Sequence, residues 1–165
     1  MKTTQQKNDT LNIVFGGIGG QGVLLASEVC AWAAIYEGYH VKKSEVHGMA
    51  QRGGSVESHL RFGKLVWSPL VPTGKADYLV CFHSEEHDRL KPFLKKGGTD
   101  LLPALDEARR LLINPRYLNV FVLGVLSRSL PFRENNWVKA IKMVLSKRLF
   151  AENLEIFLKA RRVER

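Results

Sequence analysis

Apolar and polar positions follow more than one period along this chain, and the changes of period mark its elements. Ile13, Val14 and Phe15 form a short unbroken apolar run of the kind a buried strand shows. The run breaks into Gly-Gly-Ile-Gly-Gly-Gln-Gly, residues 16–22. Beyond it, Val23 to Tyr36 is apolar on nearly all sides (Leu24, Leu25, Val29, Trp32, Ala33, Ile35), which predicts a helix pressed between a sheet and a further layer. Gly38 is a natural stop for that helix, and Tyr39 to Glu45 reads as a second strand. Strand, glycine turn, helix and strand together make half of a doubly wound parallel sheet.

From Ser55 the period drops to two. Val56, Ser58, Leu60 and Phe62 alternate with Glu57, His59 and Arg61, which predicts a half-buried strand with a solvated polar row. Gly63-Lys64 suits a two-residue hairpin turn that returns the chain through Leu65, Val66 and Trp67. Ser68 to Gly74 is then a loop stiffened by Pro69 and Pro72. Asp77 to Phe82 forms another buried strand, followed by the polar run His83 to Asp88 at the end where open α/β sheets bind ligands. Leu90 to Gly98 predicts a short helix closing on Gly97-Gly98. Thr99 to Tyr117 is basic and proline-punctuated, with an amphipathic piece (Leu105, Ala108, Leu111, Leu112). Asn119 is placed to cap a helix running to Ser129, and Glu134 to Lys147 and Glu152 to Arg162 read as amphipathic helices. A helical C-terminal third cannot extend the sheet, so it packs on a face of it or on a partner. The expected architecture is α/β: a Rossmann-like open sheet, mostly parallel, with one antiparallel hairpin. A single domain spans residues 1–165, behind a flexible stretch from Met1 to Thr10.

Composition narrows the function classes. The 165 residues carry a formal charge of +9 and are 45% hydrophobic, so one domain with a real core is expected and an anionic partner suits it. No nucleic-acid module is recognisable, because the basic residues are interleaved with apolar ones at helical spacing, as on solvated helix faces. Cys30 and Cys81 are the only cysteines, each inside an apolar pattern. With no C-x-x-C, the chain cannot hold a cysteine-ligated iron-sulfur cluster or an ordinary structural zinc by itself. The N-terminal residues lack the apolar core of a signal peptide and no stretch is long enough to span a bilayer, so the cytoplasm is the default location.

Two stretches carry candidate chemistry. Gly17, Gly19 and Gly22 stand at the G-x-G-x-x-G spacing of a dinucleotide-binding turn, with Gly20 as an extra glycine. Such a turn offers unpaired helix N–H groups to an anion; alternatively it is only a tight strand-to-helix turn. Glu45, near the end of the second strand, stands where a ribose-binding acid would, and Lys42 and Lys43 could meet a ribose phosphate instead. The second stretch is Glu45 to Ser55. Gly48, Gly53 and Gly54 make it a loop, yet it bears His47, Met49, Gln51 and Arg52. Arg52 before two glycines could set a guanidinium and main-chain N–H groups around one anion, or the segment is a plain connector. His83 and His87 with Glu86 between them do not fit the H-E-x-x-H zinc pattern. No residue is assigned a catalytic or metal-binding role.

Taken together, GGIGGQGVLLASE, EVHGMAQRGGSVESHLRFG, SPLVPTGKADYLV and NVFVLGVLS resemble the gamma subunit or gamma domain of 2-oxoacid:ferredoxin oxidoreductases, and most of all the small (beta) subunit of the indolepyruvate enzymes. The resemblance covers about Asn12 to Leu90, and Asn119 to the C-terminus. It implies an accessory subunit of a complex that decarboxylates a 2-oxoacid oxidatively. Thiamine diphosphate and iron-sulfur clusters are expected on a larger partner subunit, ferredoxin takes the electrons, and coenzyme A takes the acyl group. No thiamine-diphosphate G-D-G motif occurs in this chain. The residues carried over as a cofactor-facing surface are Gly17, Gly19, Gly20, Gln21 and Gly22 in the first loop, and His47, Gly48, Met49, Gln51, Arg52, Gly53 and Gly54 in the second. Coenzyme A at this surface is the one ligand the resemblance leaves open to the chain itself. Neither nucleic acid nor a membrane is implied. Between Gly98 and Asn119 the sequence is shorter than the family pattern, which leaves open whether the sheet is complete on that side. The readings that stand beside this one are a free-standing NAD(P)-binding Rossmann oxidoreductase and a non-enzymatic module that senses a nucleotide.

Overall fold

The computed structural model describes residues 10–49 and 53–162. Strand β1 (Leu11–Ile18) leads through the glycine turn into helix α1 (Val23–Tyr36), then β2 (His40–His47), β3 (Ser55–Gly63) and β4 (Ala76–Cys81). Helix α2 (Ser84–Leu90), a single 3-10 turn, β5 (Leu94–Asp100) and α3 (Leu102–Leu111) follow. The chain ends in α4 (Leu118–Ser127), α5 (Glu134–Val144) and α6 (Lys147–Arg162). The five strands form one open sheet in the order β2-β3-β1-β4-β5.

Strands β1, β4 and β5 run parallel, while β3 is antiparallel to both β1 and β2. Four strands therefore share one direction, with β3 alone reversed, and the α/β open sheet with an antiparallel hairpin is present. Its hairpin is β2–β3, joined across the loop after His47. The predicted return through Leu65, Val66 and Trp67 does not pair: that segment is a loop, and the Arg61 guanidinium holds it by donating to the carbonyls of Ser68 and Leu70. A second departure follows from the same strand. β3 lies between β1 and β2, so β2 is the sheet edge rather than the parallel neighbour of β1.

At the other edge, Leu94 to Asp100 is a strand instead of the end of a helix. Gly97, at φ 77°, and Gly98 lie within it, and Gly98 fits there because a side chain would meet the Ala76 carbonyl at 3.0 Å. The sheet is thus continued past β4 despite the short segment that follows. Helix α6 begins five residues earlier than its amphipathic pattern suggested, at Lys147 rather than Glu152.

The sheet's two faces are covered unequally. Ile13, Phe15, Leu60, Phe62 and Val80 point into the large core formed with α1, α3, α4, α5 and α6, where Trp137, Phe157 and Leu126 are fully buried. The opposite face holds a small cluster of Val14, Val71, Leu79, Cys81 and Leu90 under α2 and the loop before β4. Among the described residues, no helix is long and apolar enough to cross a membrane.

Candidate functional site

The glycine turn sits where β1 ends against β4. Gly20 (φ 92°) and Gly22 (φ 75°) both take the left-handed conformation that a side chain disfavours. The turn is filled by the protein's own groups. Gln21 Oε1 accepts the Ile18 N–H at 2.9 Å, and Gln21 Nε2 donates to the Phe82 carbonyl at 2.8 Å, so one side chain staples the ends of β1 and β4. A Cβ on Gly17 would stand 2.7 Å from that Gln21 Oε1, and one on Gly22 would overlap the Asn119 amide. Asn119 is accordingly not a cap. It lies inside the first turn of α4 and its Nδ2 donates to the Gly22 carbonyl at 3.3 Å.

The second glycine stretch meets the first. The Gly19 N–H donates to the Gly54 carbonyl at 2.9 Å, and a Cβ on Gly19 would lie 3.5 Å from the Gly53 amide nitrogen. The Gly48 N–H donates to the Ser55 carbonyl at 2.6 Å and closes the base of the hairpin loop. Next to this junction the Met49 side chain is fully exposed and His47 is half exposed, its Nε2 3.9 Å from Glu45 Oε2. The structure thus brings Gly17, Gly19, Gly20, Gln21, Gly22, Gly48, Gly53 and Gly54 to one rim, with His47 and Met49 beside them. Gln51 and Arg52 lie outside the described residues. Along the same rim a recess of about 250 Å³ opens between Gly20, Gln21, Phe82, Pro115, Arg116 and Leu118.

These residues do not suit a dinucleotide. The space that a pyrophosphate needs against the turn is taken by Gln21 and Asn119. Glu45, the supposed ribose acid, stands on the edge strand with β3 between it and β1. Its carboxyl is held below its ordinary range chiefly by hydrogen bonding to Lys43, which lies 2.6 Å away and also reaches Glu28 at 2.5 Å. Lys42 and Lys43 point to opposite faces of that strand, as neighbouring strand residues must. The cysteines do not suit an iron-sulfur cluster either. Both are buried, and burial pushes the Cys30 thiol well up and the Cys81 thiol up to about 11, which disfavours the thiolate that iron needs.

A buried polar network beneath the rim reverses one expectation from the sequence. Glu57 and His59, predicted to lie in a solvated row, are only 8% and 4% exposed, because α2 and the proline loop cover that face of β3. His59 Nδ1 accepts the Val71 N–H at 2.9 Å, which leaves Nε2 to donate to Glu57 Oε1 at 2.5 Å. Glu57 Oε2 meets Arg89 at 2.8 Å. Arg89 also binds Glu86 at 2.7 Å, and Glu86 Oε1 accepts from the Ser55 hydroxyl at 2.5 Å. Hydrogen bonding from His59, then from Arg89, holds the Glu57 carboxyl below the usual range. For Glu86, burial pushes the carboxyl up but the Ser55 and Arg89 hydrogen bonds outweigh it and leave it lowered. The chain of contacts ends at Ser55, one residue after Gly54, so it anchors the second glycine corner to α2. The signal in the sequence was the polar run Ser-Glu-Glu-His-Asp-Arg after β4, a helix with its own charges to set against that strand. His87 belongs to a different contact, with Asp100 at 2.7 Å, and ties α2 to β5. Among the described residues, no cluster of three metal-ligating side chains converges.

Comparison with known proteins places the chain in a family. The family described as pyruvate ferredoxin/flavodoxin oxidoreductase matches residues 12–102, which contain both glycine stretches. The indolepyruvate oxidoreductase subunit IorB of Archaeoglobus fulgidus is 35% identical over 183 residues, covering 88% of this chain and 90% of that protein. That alignment is longer than the chain, so the relative carries residues that have no counterpart here. IorB of Thermococcus kodakarensis is 51% identical over 87 residues, covering 53% of this chain and 43% of that protein. The chain therefore matches less than half the length of the Thermococcus relative. Among solved structures, the gamma subunit of a keto/oxoacid ferredoxin oxidoreductase from Geobacter sulfurreducens has a TM-score of 0.73 at 23% identity, covering 92% of this chain and 96% of its own. A 2-oxoglutarate:ferredoxin oxidoreductase from Magnetococcus marinus, solved with 2-oxoglutarate, coenzyme A and succinyl-CoA bound, has a TM-score of 0.75 at 21% identity, covering 93% of this chain and 31% of that one. At those identities the structures establish the shared fold.

Proposed function

This chain belongs to the pyruvate ferredoxin/flavodoxin oxidoreductase family, and from that premise we propose that it is the small accessory subunit of an indolepyruvate-type 2-oxoacid:ferredoxin oxidoreductase, working in the cytoplasm. The observation that carries the proposal is the Gly19–Gly54 hydrogen bond. It joins the two family stretches into one rim of close-packed main chain, filled from within by Gln21 and Asn119, with Met49 projecting beside it. A rim of this kind suits docking against another polypeptide better than cradling a free nucleotide, because its glycines accommodate protein atoms and its exposed thioether is an adaptable contact for an apolar surface.

In this role the chain supplies shape and position. A larger partner subunit holds thiamine diphosphate and iron-sulfur clusters, which carry out the decarboxylation and pass the electrons to ferredoxin. The rim borders the approach by which the 2-oxoacid and coenzyme A reach that centre. Arg116, lining the recess beside Gly20 and Gln21, faces the anionic side of that traffic. The polar network from His59 to Ser55 holds the second corner in register with the first, so that the rim docks as a preformed surface.

The proposal is tested by co-expressing the chain with its large partner subunit and measuring reduction of ferredoxin by indolepyruvate and other aryl 2-oxoacids in the presence of coenzyme A. The expected result is a stable complex that is active, and a chain that is inactive alone. Failure to co-purify, or full activity of the large subunit without this chain, would overturn it.

A further inference from the structure

β2 is one of the two edges of the sheet, and its hydrogen-bonding groups can be assigned residue by residue. The Gly48 N–H donates to the Ser55 carbonyl, and the β2–β3 register continues from that pair through Val46↔Glu57, Ser44↔His59 and Lys42↔Arg61. In an antiparallel ladder alternate residues bond to one neighbour. The even-numbered residues of β2 are therefore committed to β3. Val41, Lys43, Glu45 and His47 aim their N–H and C=O groups outward at an edge where no further strand pairs among the described residues. Their side chains fall on the face covered by α1, with Leu60 and Phe62, whereas Lys42, Ser44 and Val46 lie on the other face. An unpaired strand of this length is a template for one more strand, and proteins usually guard such an edge with lysine. Here Lys43 is turned inward onto Glu28 and Glu45, with its side chain 19% exposed, and Lys42 is exposed on the other face, so the edge is closed to a strand whose charges do not match and open to one whose charges do.

We propose that this edge pairs with β2 of a second copy of the chain, antiparallel about a twofold axis through Ser44, so that the two sheets join into one. The outward groups must meet outward groups, which requires odd-numbered residues to face odd-numbered residues. Of the registers that satisfy this, the one centred on Lys43 sets Lys43 against its own copy, and the one centred on Glu45 sets Glu45 against its own copy; both place like charges directly opposite. The register centred on Ser44 sets Lys43 against Glu45 of the second copy and Glu45 against Lys43, with Val41 opposite His47 at each end. It also uses almost the full strand. Lys42 then falls opposite Val46, and the two Ser44 hydroxyls meet across the axis on the face away from α1. The sequence Val-Lys-Lys-Ser-Glu-Val-His is self-complementary in this register, and that charge pattern selects a second copy over an unrelated strand.

At the axis the two Ser44 residues form a non-hydrogen-bonded pair, with Cα atoms about 4.5 Å apart, which lies within disulfide range. Ser44→Cys should therefore give a disulfide-linked dimer under mild oxidation, since Cys30 and Cys81 are buried and cannot compete. Lys42→Cys, whose counterpart would be Val46, should not link to itself, while the double variant Lys42→Cys/Val46→Cys should. Light scattering on the unmodified full chain should report twice 18.6 kDa. Glu45→Lys, which places like charges opposite each other twice by symmetry, should weaken the dimer by about tenfold or more, with the circular dichroism spectrum unchanged. A mass of 18.6 kDa for the unmodified chain at every concentration examined, or efficient self-linking of Lys42→Cys in place of Ser44→Cys, would overturn the proposal.

Discussion

The two faces of the sheet are held by different physics. On the helical face, α1, α3, α4, α5 and α6 bury apolar side chains, and rings stack in series from Tyr39 through Phe62 and Phe132 to Trp137 and Phe157. On the other face a small apolar cluster shares the space with His59, Glu57, Arg89 and Glu86. Apolar burial is non-directional and holds at any ordinary pH. A chain of charge-assisted hydrogen bonds contributes less net stability but fixes distances and angles. The first face holds the domain together, and the second fixes where the glycine rim stands relative to α2.

Breaking the apolar side should have the larger effect. Trp137 is fully buried, 5.4 Å centroid to centroid from both Phe132 and Phe157. Trp137→Ala should cost about 3–5 kcal/mol, measured as a lowered denaturation midpoint, with little dependence on pH between neutrality and mild acid. A loss that varied steeply with pH would mean that the two faces are not separable in this way.

On the polar side the effect should be smaller and carry a pH signature. Glu57→Gln removes the charge that His59 and Arg89 both address, at a cost of about 1–3 kcal/mol, discounted because the Arg89 side chain is 45% exposed and can turn to water. The folded-state carboxyl is lowered, so the Glu57 contribution is complete above its unfolded pKa, about 4.3, and is lost as pH falls through the lower folded value. The stability gap between the two proteins should therefore be widest near neutrality and close in acid. A gap that widened below pH ~4 would contradict the assigned hydrogen bonds.

That contrast also explains what could be read from the sequence. The continuous apolar runs of β1 and β4, the all-round apolar α1 and the helical C-terminal third were legible because burial writes a period into the chain. The pairing order was not: nothing local in Tyr39 to Glu45 says that β3 will insert between it and β1. Leu94 to Asp100 carries two glycines and two lysines, and becomes a strand only because β4 offers it an edge. Glu57 and His59 alternate with apolar residues just as a solvated row would, and their burial depends on a loop and a helix from later in the chain. The two glycine stretches were recognisable as family sequence. That Gln21 and Asn119 fill the first of them was not, since Asn119 comes from a helix 97 positions away.

The glycine turn allows the finest version of the same comparison, between steric fit and backbone strain. Gly22→Ala meets both obstacles, a left-handed φ of 75° and the Asn119 amide lying where the methyl would go. Gly20→Ala meets only the first, at φ 92° with open space around the new methyl. Strain alone should cost about 1–2 kcal/mol, so Gly20→Ala should fall in that range and Gly22→Ala clearly above it. Asn119→Ala, combined with Gly22→Ala, removes the obstruction while leaving the strain. The double variant should thus recover part of the Gly22→Ala loss, a coupling of about 1 kcal/mol in a double-mutant cycle, whereas Asn119→Ala paired with Gly20→Ala should show none. Equal losses at the two glycines would mean that the turn tolerates a filled corner, and that the packing of Asn119 against Gly22 has no part in holding the rim.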